Sequence, residues 1–112
     1  MNIQIFGVKN CYDTQKAERY FKERNIKYQF IDIRQKGLSK GELESVRKAV
    51  GLENLINKMG KDYTKLNLDK IGNAGMREEI LLNHTKLYIT PIVRNGRLAT
   101  VGYKPEIWKE WD

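Results

Sequence analysis

The sequence predicts one α/β domain, residues 1–112, built on a mixed four-stranded sheet, and three observations carry that prediction. Residues 2–6 alternate polar and apolar, and strand character returns at Tyr28 after a connection long enough to hold a helix. That is the form of a right-handed, parallel strand–helix–strand unit. Near the other end, two strand-like runs flank Asn95-Gly96, the strongest short-range signal for an antiparallel hairpin. Between them, residues 39–83 carry helical rather than strand spacing.

Taken in order, Ile3-Gln4-Ile5-Phe6-Gly7 is the first strand. From Cys11 to about Arg24, Ala17, Tyr20 and Phe21 share one helical face and charges occupy the other, with Asn25 as the C-terminal cap. Tyr28–Ile33 is the second strand. Ser39-Lys40-Gly41-Glu42 is a capping box with Leu38 as its hydrophobic staple. The helix it starts buries Leu43, Val46, Val50 and Ala49 and stops at Gly51. Residues 52–72 read as short helices joined by polar turns, and 74–83 as a further helix carrying Met76, Ile80, Leu81 and Leu82. Leu87–Arg94 reads as a strand, followed by a type I′ turn at Asn95-Gly96 and a strand over Arg97–Gly102. Pro91 cannot donate to a ladder, so it marks either the start of that strand or a special backbone site. Pro105 opens a last helix through Trp111.

Composition narrows the function classes. With 40% hydrophobic and 31% charged residues, the 112-residue chain can bury one core. No stretch is apolar enough to span a membrane, and the first residues lack the form of a secretory signal. One cysteine and no export signal predict a reducing, cytoplasmic setting without an internal disulfide. The net charge of +7 is scattered among Glu and Asp, as in Lys16-Ala17-Glu18-Arg19. Direct nucleic-acid binding is therefore not expected, while an acidic protein or an anionic small molecule remains compatible. One Cys and one His are too few for a metal site, so none is predicted.

Cys11 is the chemical focus. It stands where the first strand hands over to the first helix, facing unpaired N–H groups and the positive end of the helix dipole. Both favour thiolate over thiol. A buried structural cysteine is the alternative. Thr14, one turn on, either reaches back to the sulfur or is a small residue fitting helix to sheet. Asn10 is a further candidate to hold the thiolate.

The element order, with Cys11 at the first helix and Thr90-Pro91 before the hairpin, looks like a thioredoxin-like fold. More specifically, the chain resembles the ArsC/Spx family, the arsenate-reductase-like branch with an inserted helical middle. The matching stretches include Asn10-Cys11-Tyr12-Asp13-Thr14, Asp32-Ile33-Arg34, Leu55–Gly60, Tyr63–Leu68, Pro91-Ile92-Val93 and Val101-Gly102-Tyr103. The resemblance implies a cis Pro91 beside the cysteine and a Thr90 that offers backbone groups to a bound thiol or peptide.

In arsenate reductases of this type, three arginines hold the oxyanion. Here the corresponding positions are Gln15, Asn57 and Thr90, so charge-assisted anion contacts are missing. Spx proteins use the fold to bind RNA polymerase, often with a Cys-x-x-Cys switch. Thr14 occupies the second cysteine's place, and the ending at Asp112 lacks the extra C-terminal segment of Spx.

The leading expectation is therefore a cytoplasmic single-cysteine thiol-dependent oxidoreductase. It acts through Cys11, with Asn10, Thr14, Thr90, Pro91 and Arg94 as substrate-binding candidates. No cofactor is bound, and glutathione or another external thiol resolves the intermediate. The substrate is a small thiol or disulfide. An Spx-like regulator contacting the RNA polymerase α subunit is the alternative, and arsenate reduction with atypical anion ligands the third. His84, at the expected helix end, is read as structural rather than as a base. Arg94, Lys9 and Lys16 are weighed between solvated positions and contributors of positive potential near the thiol. Tyr103, Trp108 and Trp111 are expected to pack.

Overall fold

The computed structural model describes residues 1–111, so the part of the predicted domain at Asp112 lies outside the described residues. Its sheet comprises β1 (Ile3–Gly7), β2 (Tyr28–Asp32), β3 (Ile92–Asn95) and β4 (Leu98–Val101) in the order β2-β1-β3-β4. β1 pairs parallel with β2 and antiparallel with β3, and β3 pairs antiparallel with β4. This is the expected mixed sheet. β1 is central and buried on both faces: Ile3 and Ile5 pack one side, Phe6 the other.

On the first side lies α1 (Tyr12–Glu23), with Ala17, Tyr20 and Phe21 against Val93 and Trp108. Trp108 belongs to α6 (Pro105–Trp108) and donates its indole N–H to the buried Thr100 hydroxyl at 2.7 Å. Lys109–Trp111 continues the chain as a 3-10 turn. On the other side, α3 (Lys40–Val50) and α5 (Ala74–Asn83) cover Phe6 and Ile92 through Leu43, Val46 and Leu81.

The capping box at Ser39 and Glu42 is fully formed. Asn25 adopts the left-handed conformation at φ +57°, which ends α1 as a cap does. Between α3 and α5 stand a 3-10 turn at Glu53–Leu55, α4 (Lys61–Lys65) and a second 3-10 turn at Leu68–Lys70.

Five expectations change in detail. The second strand ends at Asp32, whose carboxylate accepts the Arg34 N–H at 3.0 Å and caps a one-turn helix, α2 (Ile33–Lys36). Ala49 is exposed. In α5 the long apolar Met76 is exposed while Arg77 is buried. Arg77 is needed inside, because its guanidinium satisfies the Leu68 and Ile71 carbonyls at 2.7 Å each and pairs with Glu53 at 2.9 Å. The third strand begins only at Ile92; Thr85–Leu87 is a 3-10 turn and Tyr88 makes an isolated bridge to Ile56. Finally, the hairpin turn is Gly96-Arg97 rather than Asn95-Gly96, because Asn95 is paired with Leu98. Only Gly96 has positive φ there (+62°), which suits a type II′ rather than a type I′ turn. Asn95 instead accepts the Asn2 N–H through its side chain at 3.2 Å.

Candidate functional site

The C-terminal end of β1 builds the site. After Gly7 the chain turns tightly, and the Cys11 N–H closes the turn on the Val8 carbonyl at 2.9 Å. The Gln15 side chain pins the same turn by donating to the Lys9 carbonyl at 2.8 Å. Cys11 is the N-cap of α1, in extended conformation at φ −84°, ψ 125°. Its side chain caps nothing and leans instead toward Thr90.

Two contacts join the sulfur to Thr90. The Thr90 hydroxyl donates to Sγ at 3.2 Å, and Sγ can donate to the Thr90 carbonyl at 3.8 Å. The first serves the thiolate and the second the thiol, so each protonation state has a partner. Partial burial is the largest influence on Cys11 and pushes its pKa up. The Thr14 hydroxyl, the Thr90 hydroxyl and the backbone N–H groups of Thr14 and Asp13 together outweigh it, and the thiol is held below its ordinary range. Among these, only the Thr90 hydroxyl is hydrogen-bonded to the sulfur, at 3.2 Å; Thr14 and the first-turn amides lower its pKa from nearby.

Thr14 does both things the sequence allowed. It is fully buried, and its Oγ1 accepts the Val8 N–H at 3.4 Å while lying close enough to draw the thiol pKa down. It also fits helix to sheet, because a Cβ at Gly7 would stand 2.5 Å from its Cγ2. The Thr90–Pro91 bond is cis, as the resemblance implied, and Pro91 directly precedes β3. Gly102 follows β4 and fastens this bond from the neighbouring strand. It turns at φ +82° and donates its N–H to the Pro91 carbonyl at 2.8 Å.

Two predicted residues are not brought to the sulfur. Asn10 is exposed in the turn, and the hydrogen bond to the sulfur comes from Thr90 instead. Arg94 pairs with Gln4 in the sheet register, toward the hairpin turn. There its guanidinium donates to Gln4 Oε1 and the Gly96 carbonyl, both at 3.1 Å. Strand alternation alone could not show that the Gln4 side chain holds it. Lys9 is exposed. Lys16 is neither free in solvent nor turned to the thiol: it sits 5.1 Å from the Tyr12 ring centre and 4.7 Å from that of Tyr103. His84 caps the C-terminal end of α5 and is exposed. Among the described residues, no group of His, Cys, Asp and Glu could hold a metal ion.

Sequence reasoning missed a cavity of about 350 Å³ next to the thiol, whose lining includes Val8, Arg34, Asn57, Lys86 and Thr90. Val8 and Thr90 belong equally to the cysteine's surroundings. The signal was available in Asp32-Ile33-Arg34: a carboxylate two residues before an arginine can stop a strand and cap a helix, turning the arginine toward the strand ends. Lys86 gave no such signal, since its position depends on the 3-10 turn that replaces the expected strand.

The ArsC family model matches residues 6–111 of this chain. The uncharacterized protein YusI of Bacillus subtilis is 27% identical over 115 residues, covering 98% of each chain. The solution structure of an arsenate reductase (ArsC) related protein from Brucella melitensis is 27% identical, with a TM-score of 0.72 over 99% of this chain and 94% of that one. An arsenate reductase from Vibrio cholerae shares the fold at a TM-score of 0.88 and 22% identity, covering 98% and 97% of the two chains. Among the described residues, no helix is long and apolar enough to cross a membrane.

Proposed function

The chain belongs to the ArsC family, and from that premise we propose that it is a cytoplasmic, single-cysteine, thiol-dependent reductase centred on Cys11. The observation that carries this reading is the sulfur at the N-cap of α1 with the Thr90 hydroxyl 3.2 Å away. A partly exposed cysteine whose surroundings favour the thiolate is a nucleophile; a cysteine buried among apolar side chains is not.

The Cys11 thiolate attacks one sulfur of a substrate disulfide, forming a Cys11–S bond as the substrate S–S bond breaks. The departing sulfur leaves as a thiolate and takes a proton from water. The chain has one cysteine, so an external thiol such as glutathione attacks the mixed disulfide, restores the Cys11 thiolate and leaves as the new disulfide. Thr90 and Thr14 stabilise the attacking thiolate and, in the second step, the same thiolate as a leaving group. Pro91 and the Thr90 backbone form the wall along which the bound sulfur compound lies.

Alkylation of Cys11 across pH, followed by intact mass and repeated with oxidised glutathione, tests this. The expected result is a midpoint below that of a free thiol and one glutathione added per chain. A Cys11→Ser protein that keeps full thiol-transfer activity would end the proposal.

A second reading rests on the net charge of +7, which suits an acidic protein partner such as the RNA polymerase α subunit. It predicts co-purification with that subunit that survives Cys11→Ser, and no complex at micromolar concentrations counts against it. Arsenate reduction is the third reading. It requires thiol-dependent arsenite production, and no turnover at saturating arsenate removes it.

A further inference from the structure

We propose that the outer edge of β4 docks an extended, disulfide-bearing polypeptide, which joins the sheet as an added strand and brings its disulfide to Cys11. The inference rests on the reductase reading and names the substrate class of that site.

Three features of the fold point to this ligand. The first is the open main chain of β4. The Gly102 N–H donates to the Pro91 carbonyl at 2.8 Å, and in the same register Val93 stands opposite Thr100 and Asn95 opposite Leu98. Bonded and non-bonded pairs alternate along an antiparallel ladder, so these three pairs are the bonded ones. Ala99 and Val101, which lie between them, turn their N–H and C=O groups outward. β4 is the last strand of the sheet on that side, and among the described residues neither amide finds a backbone partner elsewhere. Natural edges are commonly blunted by a charge, a proline or a bulge. Leu98-Ala99-Thr100-Val101 is short, but it carries none of these.

The second feature is the groove in which this edge lies. It encloses about 540 Å³, and Val50, Ile89, Val101 and Ile107 give it aliphatic walls. Val50 comes from α3 on one face of the sheet and Ile107 from α6 on the other. Ile107 is 41% exposed, an apolar surface that an added strand covers. Open main-chain groups bind the backbone of an extended segment, and apolar walls on either side bind its alternating side chains.

The third feature is continuity with the thiol. Ile89 lines this groove and also the cavity beside Cys11, together with Val8 and Thr90. The Val101 end of β4 is the end next to Pro91. A segment lying along β4 therefore runs off that end over Ile89 toward Thr90, whose hydroxyl stands 3.2 Å from the sulfur. A second copy of the chain has no need of that route, and two chains of net charge +7 repel. The groove at the opposite edge of the sheet, along Asn25 to Phe30, lies beside the start of β1 and away from the thiol.

The covalent step is that of the reductase reading. Cys11 bonds to one sulfur of the polypeptide's disulfide as that S–S bond breaks, and the other sulfur leaves as a thiolate that takes a proton from water. The external thiol then frees Cys11.

The test uses three probes on the full chain. One is the peptide Thr-Val-Thr-Val-Thr-Gly-Cys, its cysteine held in a mixed disulfide with 2-mercaptoethanol. The second is its twin, N-methylated at every Thr and Val, which keeps the side chains and the disulfide but lacks the N–H donors. The third is bis(2-hydroxyethyl) disulfide. Loss of free Cys11 is followed by intact mass. The native chain should react about tenfold faster with the peptide than with the twin, the worth of about two main-chain hydrogen bonds. Ala99→Pro removes an outward N–H that the β3–β4 ladder does not use, a position where an edge strand tolerates proline, and it should abolish the difference. Circular dichroism verifies that the variant is folded, and the comparison of peptide with twin on the native chain decides the matter without it.

Equal rates for peptide and twin in the native chain, or a difference that survives in folded Ala99→Pro, overturn strand addition and leave the reductase reading standing. Reaction with none of the three probes overturns both. A concentration-dependent dimer in analytical ultracentrifugation that Ala99→Pro dissociates assigns the edge to a second copy and overturns the proposal.

Discussion

Gly7→Ala is the most informative single methyl group that can be added to this protein. Gly7 lies in β1 outside the left-handed region, so its backbone accepts alanine. By itself the change would reduce unfolded-chain entropy and stabilise by about 0.5 kcal/mol. The contact opposes it. The new Cβ would stand 2.5 Å from Thr14 Cγ2 and 2.7 Å from Thr14 Oγ1, both inside van der Waals separation. Neither side yields easily, because β1 is paired on both edges and Thr14 is fully buried in the first turn of α1. Overpacking of this kind costs about 1–3 kcal/mol, and moving Thr14 also weakens its bond from the Val8 N–H. The net loss should be about 2 kcal/mol.

Urea denaturation measures that loss, and a double-mutant cycle assigns it. In a Thr14→Ala background the clash is gone, so Gly7→Ala should cost nothing or stabilise slightly, giving a coupling of about 2–2.5 kcal/mol. The same displacement draws the Thr14 hydroxyl from the sulfur. Alkylation of Cys11 at neutral pH should then slow roughly fivefold, the effect of losing about 1 kcal/mol of thiolate stabilisation. A Gly7→Ala protein within 0.5 kcal/mol of the native chain and equally reactive, or a cycle with no coupling, refutes the argument that Gly7 exists to admit Thr14.

Thr90→Val removes the donor 3.2 Å from the sulfur and should move the midpoint of the alkylation profile upward, with neutral-pH reactivity falling roughly fivefold; an unmoved midpoint refutes the hydroxyl's role. The sign for stability follows from the depressed native pKa of Cys11. Its contribution is present above the unfolded-chain thiol pKa and is lost as pH falls through the native one, so urea midpoints of the native chain and Thr90→Val should converge on the acid side of that window. Tyr88→Phe removes a buried hydroxyl that has no hydrogen-bond partner and should raise stability by about 1 kcal/mol in urea denaturation; a loss of similar size would show a partner is present. Arg77→Met strands the Leu68 and Ile71 carbonyls, while the half-exposed Glu53 keeps Lys58 at 3.1 Å. The change should cost about 3 kcal/mol and raise amide exchange across residues 53–77, and exchange unchanged there would deny Arg77 that role.

What could be read from the sequence was whatever neighbouring residues decide. The capping box at Ser39, the strand-to-helix handover at Cys11 and the proline-led last helix are local signals, and they stand where expected. Departures occur where a distant partner decides. Tyr88 reads as strand, yet its bridge is to Ile56, 32 positions away (88 − 56), so the strand starts only after Pro91. Arg77 looks like a surface residue of an amphipathic helix until the carbonyls of the preceding turn are seen to need a donor. Asn95-Gly96 identified the hairpin correctly but not its register, because the Asn2 contact holds Asn95 in the ladder. Of the site, Cys11, Thr14, Thr90 and Pro91 were legible. Arg34 had a local signal in the Asp32 cap that went unread, and Lys86 had none, since the turn that carries it shows no periodicity.

The three positions where the resemblance places oxyanion-binding arginines bear directly on substrate class. Gln15 spends its side-chain amide on the Lys9 carbonyl, and Asn57 turns its oxygen to the Met59 N–H at 3.1 Å. Both are thereby committed to shaping the loops around the thiol. Thr90 alone faces the sulfur, and it does so with a neutral donor. An arginine there would bind the anion and, as a full positive charge, lower the thiol pKa further. A hydroxyl gives the thiolate a neutral donor and brings no charge to a bound anion. The arrangement thus gives the nucleophile a partner and places no positive charge at these three positions.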